Sequence, residues 1–133
     1  MTRRIKSTTK KPRFTDNALA AIRKSQVIGL RAGTKPHRFI AVWAVVVEGR
    51  VFIRSWGLSP RSWYVAFLEE PRGAIQVDGR EIDVRAVRTR SERLKDAVSQ
   101  AYREKYHTPG SIKFVRDFAR TNRRNTTTEV VPQ

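Results

Sequence analysis

Residues 54–64, R-S-W-G-L-S-P-R-S-W-Y, carry the side chains of this chain that are best suited to binding chemistry. The segment follows a predicted strand and precedes a predicted helix, and Ser59 and Pro60 have the residue types of a helix N-cap and first turn. Free backbone N–H groups at such a helix start, with Arg54 and Arg61 nearby, favour an anion. The aromatic side chains beside them could cover a flat ring. The segment therefore predicts a site for a ligand that carries both a phosphate and a ring.

The sequence lacks the residue patterns of most hydrolytic and metal-dependent enzymes. It has no cysteine, which excludes disulfides and thiolate metal sites. His37 and His107 lie far apart in the sequence and are interpreted as structural or solvent-facing residues. No glycine-rich phosphate loop of the P-loop or Rossmann type is present. We therefore predict no catalytic dyad and no metal site, which leaves enzymes whose cofactor performs the redox chemistry.

Composition indicates one soluble domain. A chain of 133 residues with 39% apolar residues is long enough for one core and too short for two domains. Its longest apolar run, residues 39–47, is shorter than the roughly 18 residues of a membrane span. The basic N-terminus lacks the apolar region of a secretory signal. We expect a cytoplasmic protein that does not insert into a membrane.

The net charge of +16 is extreme for a domain of this size. Residues 1–13 contain six lysines and arginines and no acid, and we expect them to form a flexible arm before a single domain at residues 14–133. The electric field of so many positive charges attracts polyanions. Nonspecific nucleic-acid binding therefore stands beside the simpler interpretation of a solvated, arginine-rich surface. A second basic cluster near the C-terminus consists of Lys113, Arg116, Arg120, Arg123 and Arg124.

Periodicity and turn signals predict six strands and four helices. Glu48-Gly49 and Asp78-Gly79 are expected to form tight hairpin turns. Residues 37–47 are apolar on both alternating faces, as in a strand that is buried on both sides. Consecutive hairpins with attached helices favour an α+β fold in which an antiparallel sheet curls into a barrel. The predicted strands are 27–32, 37–47, 51–56, 74–77, 81–87 and 126–131, and the predicted helix caps are Thr15, Ser59, Thr89 and Ser111.

From Phe14 onward, the sequence resembles a family of small uncharacterised bacterial proteins in the flavin-binding split-barrel superfamily. Residues 63–87, WYVAFLEEPRGAIQVDGREIDVRAV, are also similar to deazaflavin-dependent nitroreductases, which often read W-Y-x-N-L-x-x-N-P there. This chain departs from that pattern, with Ala66-Phe67 in place of Asn-Leu and Glu70 before Pro71. The stretches that match the uncharacterised family are FTDNALAAI (14–22), VWAVVVEGRVFIRSW (42–56), RSWYVAF (61–67), AYREKY (101–106) and TTTEVVP (126–132).

The resemblance implies a six-stranded antiparallel split barrel with flanking helices, paired as a homodimer, that binds flavin mononucleotide (FMN) or a deazaflavin. Basic residues near the third strand and the loop after it would hold the phosphate. The corresponding positions here are Arg54, Ser55, Arg61 and Ser62, and Lys35 in the turn before the second strand is a further phosphate candidate. The ring would lie near Trp43, Trp56, Trp63 or Tyr64. The resembling family has no established reaction, so the resemblance predicts a fold and does not predict a specific reaction.

Each candidate residue also has a structural interpretation. Arg54 either binds the phosphate or pairs with Glu69 or Glu70. Ser55 is expected to face the core, where a backbone partner competes with a cofactor for its hydroxyl. Arg61 either binds the anion or is hydrated at the helix start. Three functions follow from these alternatives: a cofactor-dependent oxidoreductase or reductase, a non-catalytic cofactor binder, and a polyanion-binding protein.

Overall fold

The computed structural model describes residues 12–133, so most of the predicted basic arm lies outside the described residues. Five helices and seven strands are formed within that range. The helices are α1 (Asp16–Lys24), α2 (Trp63–Glu69), α3 (Glu92–Lys105), α4 (Pro109–Phe118) and α5 (Thr121–Arg124). The strands are β1 (Ile28–Ala32), β2 (Ile40–Val42), β3 (Ala44–Val47), β4 (Arg50–Ile53), β5 (Arg72–Val77), β6 (Arg80–Arg88) and β7 (Thr128–Pro132).

All seven strands belong to one antiparallel sheet in the order β2-β1-β5-β6-β7-β4-β3. Its two edge strands, β2 and β3, are consecutive in the chain and are separated only by Trp43. Val42 pairs with Ile28 of β1, whereas Ala44 pairs with Ile53 of β4. Because one continuous segment forms both edges, the sheet curls into a nearly closed barrel. The predicted α+β fold with an antiparallel, barrel-like sheet is confirmed.

The predicted strand number of six is wrong, since the sheet formed by residues 12–133 has seven strands. The predicted strand 37–47 starts only at Ile40 and is interrupted at Trp43, where the chain stops pairing with β1 and begins to pair with β4. Apolar residues on both faces of a segment indicate that it is buried. They carry no signal for a change of partner, because an apolar segment fits β1 and β4 equally well.

Both predicted hairpin turns are confirmed. Glu48 and Gly49 have φ of 56° and 72°, and Asp78 and Gly79 have φ of 53° and 72°. A tight turn of the type I′ class requires positive φ at both central residues. The two turns join β3 to β4 and β5 to β6. These elements follow from local sequence because the backbone requirement is met by the turn residues themselves.

Helix starts are only partly explained by local signals. Thr15 caps α1 as predicted, accepting the N–H of Ala18 at 3.1 Å. The cap of α3 is Ser91 instead of the predicted Thr89, because the N–H of Thr89 still bonds the carbonyl of Thr127 at 3.0 Å and extends the β6 ladder. The predicted cap at Ser111 is also wrong, since α4 already begins at Pro109.

Side chains on the two faces of β4 enter two different cores. Val51 and Ile53 pack with α1 and the inner sides of β1, β5 and β6, whereas Phe52 packs against α3 and α4. Successive side chains of a strand point to opposite faces. Arg54 therefore leaves the end of β4 on the same side as Phe52, toward the helices. The second core is formed by Val45, Phe52, Leu94, Val98, Tyr102, Tyr106, Val115 and Phe118.

Candidate ligand-binding site

A cavity of about 610 Å³ lies between the β2–β3 segment, the loop that follows β4, and α4. This volume is within the range of small-molecule and cofactor sites. Six of the eight sequence-predicted binding residues line it: Arg54, Ser55, Trp56, Arg61, Ser62 and Trp63. Tyr64 and Lys35 do not belong to its lining. Tyr64 is half-buried beside Trp63, and Lys35 is exposed in the turn between β1 and β2.

The walls of the cavity are largely aromatic. Trp43 stacks on Tyr106 with ring centroids 4.1 Å apart and planes within 4°, which holds its ring in place. Phe118 stands edge-on to Trp43 at 6.1 Å and to Trp56 at 5.6 Å, so it lies between the two indoles. Such edge-to-face geometry is favourable for aromatic pairs. The aromatic lining residues are Trp43, Trp56, Trp63, Phe114 and Phe118.

Arg54 is held inside the protein by its own side-chain bonds. It is 2% exposed. Its guanidinium donates to Oγ1 of Thr127 and Oγ of Ser99, each at 2.8 Å, and to the carbonyls of Lys95 at 2.8 Å and Phe118 at 2.7 Å. Neither Glu69 nor Glu70 is among these partners. Although Arg54 contributes to the cavity wall, its guanidinium is hydrogen-bonded to α3, to α4 and to Thr127 before β7. These bonds favour a structural role.

Burial affects the electrostatics of Arg54. Loss of solvent lowers the pKa of its guanidinium to about 10, and no carboxylate forms a hydrogen bond with it among the described residues. The group is therefore a cation at neutral pH, stabilised by dipoles instead of by a counter-ion. One of those dipoles is the Phe118 carbonyl at the C-terminal end of α4, where a cation is favoured.

The loop after β4 is held by side chains near the start of β7. The N–H of Ser55 donates to Oγ1 of Thr126 at 2.8 Å, and Oγ of Ser55 donates to the carbonyl of Gly57. Arg123 of α5 donates through Nε to the carbonyl of Trp56 at 3.0 Å and lies 4.3 Å from the centroid of the indole ring. The backbone partner expected for the buried Ser55 hydroxyl is thus present, and the position of Trp56 depends on α5.

Helix α2 begins one residue after Ser62, which is its N-cap and accepts the N–H of Val65 at 3.3 Å. The predicted cap at Ser59 is wrong. The carbonyl of Ser59 instead accepts the N–H of Ser62 at 2.9 Å, closing a turn before the helix. Pro60 is the second residue of that turn, where its restricted φ is favoured. The turn leaves Arg61 exposed at the edge of the cavity.

The charge around the cavity is positive. None of the described residues that line it is acidic or a histidine, whereas Arg61 belongs to the lining and Arg123 lies on Trp56. No described residue forms an ion pair with Arg61 or Arg123. The cavity therefore combines aromatic walls with cations that remain available to an anion.

Sequence reasoning missed the residues that other elements bring to the site. The sequence predicts a helix after Ser111, which contains Phe114 and Phe118, and it places Arg123 only in a basic cluster. Val27 and Ile40 also line the cavity at 46% and 45% exposure, although the segment 37–47, which contains Ile40, was predicted to be buried on both faces. Nothing in the local sequence links these residues to positions 54–63, because the β4–β7 pairing and the packing of α4 bring them together.

Family comparison agrees with the bacterial family expected from the sequence. A family model described as an uncharacterised protein conserved in bacteria matches residues 17–130. This chain belongs to the DUF2255 family. No curated protein matches the DUF2255 chain. A crystal structure of the conserved hypothetical protein Rv2991 from Mycobacterium tuberculosis is similar to it, with a TM-score of 0.60 and 15% identity over 98% of this chain and 83% of that one. At this identity the likeness shows the fold alone.

Two further findings concern only residues 12–133 of this DUF2255 protein. No group of three or more histidine, aspartate or glutamate side chains is close enough together to hold a metal ion. No helix in this range is long and apolar enough to cross a membrane. The lining of the aromatic cavity therefore remains the most informative feature for function.

Proposed function

We propose that this protein binds a ring-bearing anionic cofactor, FMN or a deazaflavin, in the aromatic cavity. One observation carries the proposal: five aromatic side chains and Arg61 line the same space of about 610 Å³, and no described lining residue is acidic. Aromatic walls favour a flat ring, and an arginine favours a phosphate. The resemblance to flavin-binding split barrels supports the same ligand class.

Charge argues against the opposite ligand type. Cages of aromatic residues also bind organic cations, which are attracted to the faces of the rings. Here three arginines, Arg54, Arg61 and Arg123, lie in or next to the cavity wall, and their charges oppose a cation. An anionic ligand is the one that gains from both the aromatic walls and the charge.

Different residues would serve the two parts of such a ligand. Arg61 is the exposed cation of the lining and would pair with the phosphate, with the hydroxyls of Ser59 and Ser62 nearby. Trp56 and Phe114 are 43% and 41% exposed, so their rings are accessible to a flat ligand. Arg54 would act indirectly, by holding the end of β4 against α3 and α4.

The chemistry would come from the cofactor. The described lining residues include no histidine, carboxylate, lysine or tyrosine that could transfer a proton at neutral pH. A bound flavin or deazaflavin supplies hydride or electron transfer itself, while the protein binds and shields it. We therefore propose an oxidoreductase or reductase activity, and a non-catalytic binder is the outcome if the loaded protein shows no turnover with any reductant.

A second copy of the chain is proposed to cover the mouth of the cavity. Val27, Ile40 and Leu58 are 46%, 45% and 50% exposed, and the first two line the cavity directly. Contiguous exposed apolar residues of this kind are typical of interaction surfaces. Sedimentation of the purified protein distinguishes the homodimer from a monomer.

The test is a titration with FMN and with riboflavin, which has the same ring but no phosphate. Quenching of tryptophan fluorescence reports binding, because three tryptophans line the cavity. Arg61→Gln should weaken FMN binding by about tenfold or more, the usual effect of losing a hydrogen bond to a charged group, and should leave riboflavin binding unchanged. Arg80→Gln removes the same charge at an exposed position of β6 outside the cavity and should change neither affinity.

Two results would overturn the proposal. Absence of FMN and deazaflavin binding at tens of micromolar would remove the cofactor. An equal loss of FMN affinity in the Arg61 and Arg80 variants would show a general effect of charge instead of a phosphate contact.

A further inference from the structure

Helix α4 presents a row of cations to solvent. Lys113 and Arg116 are spaced i and i+3, which places them on one side of the helix, and Arg120 follows two residues after its end as the N-cap of α5. All three are exposed, whereas Val115 and Phe118 face the core at 6% exposure each. The inner side of α4 therefore packs on the core, and its outer side carries the cations together with the exposed Ile112 and Phe114.

The cations of this row are mostly not neutralised by the protein. Within residues 12–133, Lys113 and Arg116 form no ion pair. Arg120 pairs with the half-buried Asp117 at 3.5 Å, and both the distance and the exposure of the arginine make that pair weak. Arg124, which the sequence groups with them, is instead bound to Glu92 and Asp96 at 2.8 Å each. The free positive charge is thus concentrated on α4 and on Arg120 just after it.

Exposed aromatic rings lie at the Lys113 end of this row, whereas Arg116 lines a separate cavity with Ile112. Phe114 follows Lys113 in α4 and is 41% exposed. Its ring is 5.4 Å from that of Trp56, which is 43% exposed and is covered on one side by Arg123 at 4.3 Å. Cations for a phosphate backbone and rings for unpaired bases are the two components of single-strand recognition.

We propose that the outer side of α4, together with the Trp56–Phe114 pair, binds single-stranded nucleic acid. Lys113, Arg116 and Arg120 contact the phosphates, and bases stack on the two rings. A duplex offers the same phosphates but keeps its bases stacked inside, so it gains nothing from the rings. An anionic membrane is a poorer fit, because only two large apolar side chains of α4, Ile112 and Phe114, are exposed for insertion.

This binding mode shares Trp56 and Phe114 with the proposed cofactor site but uses different cations. Lys113, Arg116 and Arg120 are absent from the described lining of the cavity, whereas Arg61, the proposed phosphate ligand, is part of it. Variants of these three cations therefore test nucleic-acid binding without removing a residue of the cofactor site. Loss of oligonucleotide binding with FMN binding retained, or the reverse, separates the two proposals.

The experiment measures the fluorescence anisotropy of a labelled oligothymidine 12-mer with the full chain at several salt concentrations. Each lost phosphate contact lowers the slope of log K against log salt by about 0.7 for single strands. Lys113→Gln/Arg116→Gln/Arg120→Gln should therefore reduce the slope by about two. The matched control, Arg80→Gln/Arg85→Gln/Arg88→Gln, removes three exposed charges from β6 and should change the slope far less.

Phe114→Ala tests the stacking part. It should weaken oligothymidine binding by about fivefold or more, the lower limit for one stacked base, and should leave the binding of a duplex of the same length unchanged. Thermal melting confirms that each variant is folded. The proposal is overturned if the α4 and β6 variants lose equal affinity, if the duplex binds as tightly as the single strand, or if phosphatidylserine vesicles bind and the oligonucleotide does not.

Discussion

Replacing Arg54 by alanine should destabilise this protein strongly, because the buried guanidinium joins the end of β4 to α3, to α4 and to Thr127 before β7. Its four hydrogen bonds reach Thr127, Ser99, Lys95 and Phe118. The Tyr102 ring lies beneath it at 5.8 Å. Removing the side chain leaves these partners in a site from which water is largely excluded.

The magnitude follows from what the partners can still bind. Oγ1 of Thr127 keeps a bond to the carbonyl of Arg124, and the Lys95 carbonyl lies within α3, where a helix supplies its own donor. The Phe118 carbonyl ends α4 and has no intrahelical donor, so it is left unsatisfied at a cost of about 1–3 kcal/mol. Truncating a long buried side chain adds about 2 kcal/mol or more for the cavity, and relief from burying a charge offsets part of the sum.

We expect Arg54→Ala to lower the free energy of unfolding by about 3 kcal/mol, the sum of the unsatisfied carbonyl and the cavity less the relief from burying a charge. For a chain of this size that corresponds to a fall in Tm of about 10 °C. The stability of Arg54→Lys should lie between that of the wild type and that of Arg54→Ala, because an ammonium cannot reproduce the planar guanidinium that donates to four acceptors. Urea and thermal unfolding followed by circular dichroism provide the measurement.

Arg61→Ala is the matched control, since it removes an exposed arginine from the same loop region and should change stability by less than about 0.5 kcal/mol. The structural assignment of Arg54 would be refuted if its alanine variant unfolded like the wild type. It would also be refuted if the two alanine variants had the same stability and lost FMN affinity equally.

Two further predictions concern stability. Burial lowers the pKa of Lys105 from 10.5 to about 8. Between these two pH values, the Lys105 amine is protonated in the unfolded chain and neutral in the folded chain. The free energy of unfolding should therefore rise as the pH increases from about 8 toward 10. Thermal melts across this range should show the rise in the wild type and not in Lys105→Met, and an identical rise in both would assign it to other groups. Gly73→Ala should destabilise by about 1–3 kcal/mol, because the new Cβ would meet the carbonyl of Arg31 and, at 2.9 Å, the ring of Phe67. Gly110→Ala, where a Cβ meets nothing within 4 Å, should be neutral in the same urea titration, and equal effects of the two changes would contradict the packing argument.

Local elements of the fold were predictable from the sequence because their causes lie within a few residues. The Asp78-Gly79 turn needs two adjacent residues that accept positive φ, and the Thr15 cap needs one hydroxyl near the first free N–H groups of α1. The α3 stripe, which includes Val98 and Tyr102, follows from helical spacing. Errors of two or three residues arose where several serines and threonines compete, as at Ser59 and Ser62.

The candidate site was predicted only for the part that is continuous in sequence. Residues 54–63 were recognised because arginines, serines and tryptophans are concentrated there. The opposite wall, formed by Phe114 and Phe118, was not, since no local pattern distinguishes a helix residue facing a cavity from one facing a core. The change of strand partner at Trp43 was not predicted either, because an apolar pattern does not specify which strand a segment pairs with.

The sequence by itself determined the family, the strongly basic character, the α+β class and the segment that supplies half of the cavity, because these depend on composition, motif and short-range spacing. Only the tertiary structure decided which arginine is available to a ligand. Arg54 and Arg61 are seven positions apart and equally basic in the sequence. The guanidinium of Arg54 donates its hydrogen bonds to Thr127 and to acceptors in α3 and α4, whereas the turn before α2 leaves Arg61 at the edge of the cavity. That difference arises from contacts between residues 41 to 73 positions apart, which no local pattern encodes.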